Sequence, residues 1–403
     1  MKATSLLCFA FSFSTVYSAD KTPVFRAQTM DDKIEIGYGL AIADVNGDGK
    51  PDILLADKKQ IVWYENPTWT KHVIAENLTE HDNVCIAARD IDGSGKCSIA
   101  VGAEWNPGDT VNSGAVFYLI PPADRTQKWE AVKFPSVEPT THRMKWVRCG
   151  NNEDGKPRYD LVVVPLHGRG NKNGEGAGVK VLAYQMPKNP RDEWKSEVVC
   201  DDMHMTHNFD PIVMLPQYKA NSEPILIAGK EGLMTAAPAK NGQWIRTLRV
   251  QHAAYDPALP GAGEVRFSSL QEDHQLSATI EPMHGNSLVV YAADSINTMT
   301  PKRTVLDSTL EDSHALACGD LLKLGRDQIV VGWRAMQNKL AKVGIKMFVP
   351  DAQGEKWTQH LIDDNTMACE DLVLADLNGD GKLDIIASGR RTKNVVIYWN
   401  ESK

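Results

Sequence analysis

The sequence has no CxxC pair, no excess of positive charge, few aromatics and no apolar run long enough to cross a membrane. Each absence excludes a class. The seven cysteines are scattered, so neither a zinc ribbon nor a dense disulfide framework is expected. Past Cys8 they are Cys85, Cys97, Cys149, Cys200, Cys318 and Cys369, and only Cys85 and Cys97 stand close enough in sequence to invite a bridge. Lys and Arg number 44 against 52 Asp and Glu, a formal net charge of -8. That balance argues against a phosphate backbone as ligand and against nucleic acid as partner. Helical periodicity is almost absent, and no G-x-S-x-G elbow or P-loop occurs. The glycine-rich GRGNKNGEGAG at 168–178 joins two strands instead of opening a helix, so it is no phosphate cradle.

The longest apolar run, 6–17, falls short of the roughly 20 residues that a spanning helix needs. It follows Lys2, and Val16 and Ser18 supply small residues for a cut after Ser18. Residues 1–18 therefore read as a signal peptide, and the mature protein as exported, with no transmembrane segment.

What is present is repetition. LAIADVNGDGKPDILL at 40–55 returns as LVLADLNGDGKLDII at 372–386, with a weaker copy, IAARDIDGSGKCSIAV, at 86–101. Each is an apolar strand, a Gly- and Asp-rich turn and a second apolar strand, the pattern of a β-hairpin. Eroded copies at 146–164, 209–228, 265–280 and 316–331 bring the count to seven. A third apolar strand follows the hairpins, and a fourth opens with Trp69, Trp129, Trp194, Trp244 or Trp357. Seven four-stranded units predict an all-β fold, a seven-bladed β-propeller with antiparallel blades, in one domain over 19–403. The last unit stops after its third strand at Trp399, and PVFRAQ at 23–28 is the segment predicted to complete it.

The turns carry oxygen ligands at alternate positions: Asp44, Asn46, Asp48 and Asp52 in the first unit, Asp376, Asn378, Asp380 and Asp384 in the seventh. A hard cation with six or more oxygen ligands suits them, and structural Ca²⁺ is the expectation. The competing reading is a hairpin turn that uses Asp and Gly for backbone reasons. In the second unit Asp90, Asp92 and Ser94 keep part of the set and Ser98 replaces the last carboxylate, so there the plain turn is favoured.

These turns resemble those of the FG-GAP/VCBS-repeat family of secreted and surface β-propellers. Several segments also resemble the propeller domain of aldos-2-ulose dehydratase-like proteins: THRMKWV at 141–147, PLHGRG at 165–170, MTHNF at 205–209, GEVRF at 263–267, EPMHGN at 281–286 and SHALACGDL at 313–321. That resemblance implies sugar-directed lyase or dehydratase chemistry. No cupin-like segment follows in this sequence, so isomerase activity is not implied.

In a propeller the starting ends of the inner strands share one face with the loops joining second and third strands. The inner-strand ends carry Tyr38, His81, Asp82, His142, Arg143, Lys145, His204, His207, Asn208, Glu264, Arg266, His314, Glu370 and Asp371. The loops add Glu104, His167, Arg169, Lys230, Glu231, Glu281, His284, Asn286, Arg334, Arg390 and Arg391. Seven of the eleven histidines fall in these two sets. Histidine is a base near neutral pH, suited to abstracting a proton beside a carbonyl, and cations stabilise the enolate that forms. His81, His142, Arg143, His207, Arg266, His314 and Tyr38 are the candidate catalytic groups, with Tyr38 protonating the departing oxygen. Lys145, His167, Arg169, Asn208, Glu264, His284, Asn286 and Arg334 are the candidates for holding substrate. Three histidines from separate blades also suit a divalent transition metal at the mouth, although no HxH or HExxH spacing marks one. Glu264 with Glu370 would suit the acid pair of a glycosidase.

The expectation is a carbohydrate-active propeller, a carbon–oxygen lyase working by β-elimination on a sugar at the channel mouth, as a monomer or small homo-oligomer. The alternative is a non-catalytic propeller that binds glycan or protein. Trp105 and Trp333 are a modest aromatic supply, better matched to a short sugar than to a long polymer.

Overall fold

The structure, a computed structural model, describes residues 21–212, 221–239, 243–252, 261–271, 274–293 and 301–403. The signal-like segment and its cut after Ser18 lie outside these residues. Among the described residues, 28 strands form seven four-stranded antiparallel sheets. In chain order, β1 is Phe25–Asp31, and the first strands of the seven blades are β2 (Gly39–Ala43), β6 (Cys85–Arg89), β10 (Thr141–Asn151), β14 (Thr206–Pro211), β18 (Val265–Gln271), β22 (Ser313–Gly319) and β26 (Cys369–Ala375). Six blades pair their strands in sequence order. The seventh runs β1-β28-β27-β26, where β27 is Asp384–Gly389 and β28 is Asn394–Asn400.

The expected closure of the ring is observed. Strand β1 lies antiparallel to β28, from Phe25 opposite Asn400 to Asp31 opposite Val395. The Trp399 indole donates to Gln28 Oε1 at 2.8 Å, and Tyr64 of the first blade donates to Asp31 at 2.8 Å.

Burial explains the strand types. Second strands such as β3 (Asp52–Ala56) and β27 are buried throughout, because a neighbouring blade covers each face, and they read as unbroken apolar runs. The outermost β25 (Trp357–Asp364) is half exposed and mixes polar with apolar residues. The core lies between blades; Leu54 and Trp63 of the first pack with Ile99 and Phe117 of the second. All six described cysteines are free, Cys85 and Cys97 among them.

The turns explain their own composition. Gly47 and Gly49 have φ of 86° and 80°, and Gly379 and Gly381 repeat this at 75° and 79°, a region that side chains rarely adopt. Asp52, fully buried, accepts from the Val45 and Asn66 amides, and the Asn66 side chain reaches across to Leu377 O at 2.8 Å. Asp384 and Asn400 build the same clasp from the seventh blade to Leu321 O at 2.8 Å. No helix among the described residues is long and apolar enough to cross a membrane.

Candidate functional site: a histidine layer over the central channel

A channel cavity of about 540 Å³ is lined by all seven inner strands, from Leu40 on β2, with Tyr38 just before it, round to Asp371 and Leu374 on β26. At the starting ends of those strands four histidines meet. The His207 ring lies 4.5 Å from His142, 4.7 Å from His284 and 5.1 Å from His314, and His284 lies 5.0 Å from His314. His142, His207 and His314 are 4%, 1% and 5% exposed, while His284 belongs to a loop and shows the most surface.

Local backbone irregularity aims them. Pairing between β10 and β11 (Pro157–Pro165) skips from Thr141 to Arg143, leaving His142 without an opposite residue. The same slip isolates His207 and Asn208 on β14, His314 on β22 and Glu370 on β26. A β-bulge turns an extra side chain out of the alternation. Here it turns three imidazoles and a carboxylate toward one mouth. A small residue precedes each bulge: Thr141, Thr206, Ser313 and Cys369, all buried. This small-residue-then-His/Glu pattern is a signal that sequence reasoning missed.

His142 is fixed at both nitrogens. Nδ1 lies 2.8 Å from the His207 carbonyl, and Nε2 accepts from Arg143 at 3.0 Å. Trp105 stacks on its ring at 4.9 Å. His314 Nδ1 donates to the Glu370 carbonyl at 2.6 Å, which leaves Nε2 as a lone pair. His207 Nδ1 faces Glu264 Oε1 at 3.1 Å without hydrogen-bond alignment, and its Nε2 meets His284 Nε2 at 2.8 Å.

Two buried carboxylates flank the layer. Glu264 takes Asn208 at 2.6 Å and Arg266 at 3.3 Å. Glu370 takes Arg334 at 2.5 Å and Arg390 at 3.0 Å, and Arg334 also holds Asp312 at 3.1 Å. Asp312, outside every motif, is a member that sequence reasoning did not find.

Burial, helped by the nearby Arg143, pushes the His142 pKa well below the usual histidine range. Burial does the same to His207 and His314, with His284 and Arg334 respectively as the next cause. His284, its Nε2 turned inward, falls to about 4 through desolvation and the Arg334 charge. All four are thus neutral at pH 7, the form that serves as a base or as a metal ligand.

The other sequence candidates sit elsewhere. His81 is exposed and pairs with Glu104, which raises its pKa. His204 pairs with Glu231 at 2.8 Å on the rim. The His167 backbone bridges Met205, and burial lowers its pKa. Arg169 caps the Val111 and Val137 carbonyls, and exposed Asn286 accepts from the Asp312 amide at 3.4 Å. Tyr38 donates to Asp82 at 3.1 Å beneath the Arg390 guanidinium, and burial raises its pKa. Lys145 pairs with Asp210 at 2.9 Å in the channel. The structure therefore gathers four of the seven predicted histidines, and leaves His81, His167 and His204 outside the layer.

Among the described residues, the group with metal-ligand spacing is His207, His284 and His314, whose donor atoms all lie within 4.8 Å of one another. Three neutral imidazoles, with the His207 Nδ1 and Glu264 Oε1 both lacking an aligned partner, fit a zinc-like ion. The Asp-rich turns are differently occupied. Asp44 accepts the Gly47 and Gly49 amides at 2.6 and 2.7 Å, Asn46 the Asp48 amide and Asp48 the Lys50 amide. Asp376, Asn378 and Asp380 repeat the set. The backbone thus engages these oxygens, each of which keeps a further lone pair.

The chain resembles two known families. Residues 113–294 match the model described as the aldos-2-ulose dehydratase β-propeller domain, and residues 44–101 match an FG-GAP-like repeat. The first stretch holds His142, His207, Glu264 and His284. No curated protein matches the chain. Among solved structures, a chain of the mitotic checkpoint complex aligns with TM-score 0.58 at 10% identity, covering 100% of both chains. A chain from BBS1N in complex with ARL6DN, soaked with lead, aligns with TM-score 0.53 at 13% identity over 94% of this chain and 97% of that one. At such identities the likeness is one of fold alone.

Proposed function

We propose that the protein is an exported carbohydrate-active propeller, a dehydratase-type carbon–oxygen lyase acting by β-elimination on a sugar at the histidine mouth. The observation that carries this reading is the layer itself: four neutral imidazoles packed beside Arg143 and Arg334. A neutral imidazole takes the proton next to the sugar carbonyl. The electron pair moves toward the carbonyl oxygen, where a guanidinium stabilises the enolate. The pair then returns, the neighbouring C–O bond breaks, and the departing oxygen takes a proton and leaves as water. The match of 113–294 to a dehydratase propeller domain supports the substrate class.

His207, His284 and His314 suit a second use, as ligands to a divalent transition metal. Such an ion, when bound, supplies a Lewis acid that polarises the carbonyl. Ca²⁺ in the first and seventh turns is proposed as a separate, structural role. It is supported by the closeness of Asp44 and Asp48 to buried Asp52, whose carboxyl burial lifts to about 6.

The test is ultraviolet absorbance of the unsaturated product, with keto-sugars, anhydrosugars and uronates as substrates, with and without chelator. A signal that disappears in His207→Ala and His314→Ala is expected. Full turnover in both variants would refute the site. Affinity without turnover on any sugar would favour the second reading, a non-catalytic glycan- or protein-binding propeller, for which the FG-GAP-like match speaks.

A further inference from the structure

The channel behind the histidine layer carries charges of its own. Four cations line it, Arg89, Arg143, Lys145 and Arg266, against two carboxylates, Asp210 and Asp371. That count leaves out Glu223 and Glu264, which pair with Arg89 and Arg266, so the channel groups as a whole are close to balance. Three of the cations are neutralised. Arg89 is held bidentately by Glu223 at 2.7 and 2.8 Å, Lys145 by Asp210 at 2.9 Å, and Arg266 by Glu264 at 3.3 Å.

Arg143 differs. Its Nη1 touches the ring nitrogen and the carbonyl of its own neighbour His142, both at 3.0 Å. Among the described residues no carboxylate comes within salt-bridge distance of it. Asp371, across the channel, spends both oxygens on the Leu40 and Leu372 amides, at 2.8 and 2.9 Å. Among the described residues nothing hydrogen-bonds its Nε–Nη2 edge, the face of a guanidinium that pairs with a carboxylate in two parallel bonds. The cavity volume of about 540 Å³ lies inside the usual range for small-molecule sites.

We propose that the channel binds a sugar acid, a hexuronate-type monoanion, through a bidentate contact between its carboxylate and Arg143. The sugar part rests on the carbohydrate reading above; the requirement for an anion stands on the channel alone. A monoanion fits better than a phosphate ester, because Arg143 is one unpaired cation among the described lining residues and cannot balance the second charge of a phosphate. Bound this way, the acid group lies against His142, one ring from His207. With its charge offset by Arg143, the carboxylate also acidifies the C–H beside it, which in a sugar acid can take the place of the C–H next to a ketone in the elimination.

Isothermal titration of the mature protein tests this with D-glucuronate, its uncharged methyl ester, D-glucose and D-glucose 6-phosphate, each in chelator and with added zinc. Glucuronate is expected to bind at least about tenfold more tightly than its ester or glucose, the effect of a charge-assisted hydrogen bond, and to weaken with salt. Arg143→Gln is expected to erase that preference. Arg191→Gln, which alters an exposed pair with Glu130, leaves it intact. Equal binding of acid and ester by the unaltered protein overturns the proposal, whether or not the Arg143 variant folds. Tighter binding of the phosphate overturns it too. Turnover of a neutral sugar without any preference for the acid refutes this site and spares the elimination reading. An acid preference without turnover does the reverse.

Discussion

Replacing Glu370 by alanine removes the hub of the site. Its carboxylate is 2% exposed and meets Arg334 at 2.5 Å and Arg390 at 3.0 Å, with Arg334 itself 7% exposed. Breaking a buried pair by deleting one partner costs about 3–5 kcal/mol, because the other charge stays desolvated. Two features put this case at the lower end. Arg334 keeps Asp312 at 3.1 Å, and Arg390 is 29% exposed and regains water. The expected loss is about 3 kcal/mol for Glu370→Ala, and about 1–2 kcal/mol for Glu370→Gln, which keeps the shape and one neutral acceptor contact, to one of the two guanidiniums. Urea unfolding at pH 7 measures it as a fall in midpoint at constant slope. The double variant Glu370→Met with Arg334→Met should recover part of the loss, since neither member of that pair is then stranded and Asp312, 14% exposed, is the most buried charge to lose its partner. A Glu370→Ala loss under about 1 kcal/mol, or strict additivity in the double variant, would refute the reasoning.

Other expectations follow from the same structure. Asp160 is 2% exposed with Arg158 at 3.2 Å, yet burial lifts its carboxyl to about 6, so the folded state holds a proton that the unfolded chain has released. Stability should therefore fall as pH rises from about 4 through about 6, and Asp160→Asn should flatten that slope in midpoints measured across the range. Calcium should raise the melting temperature of the parent protein but not of Asp48→Asn with Asp380→Asn; equal melting in calcium and chelator would leave the turns as hairpins held by their backbone amides. Added Co²⁺ should give a visible d–d band at about one equivalent, absent from His314→Ala, and no band in the parent would remove the mouth metal. Deleting 21–31 should unpair one edge of β28 and strip Trp399 of its Gln28 partner, seen as a lower, broader thermal transition.

The blades were legible in the sequence because strand alternation and turn chemistry are local. Asp44, Gly47 and Gly49 specify a hairpin whatever surrounds them, and the incomplete unit ending at Trp399 implied the closing strand. Blade order likewise placed His142, His207, His284 and His314 on one face. What it did not specify was which histidines would meet. His81 and His204 share that face but are drawn to the rim acids Glu104 and Glu231. The bulges at His142, His207, His314 and Glu370 leave a local trace, a small residue before each, but the meeting of their side chains depends on how separate blades pack. The unpaired guanidinium of Arg143 likewise emerges only in the fold, where Asp371 on a distant blade accepts two backbone amides and stays beyond salt-bridge distance. Local chemistry determined the units and the face; pairing between distant segments decided the site, because only there do burial and charge acquire neighbours.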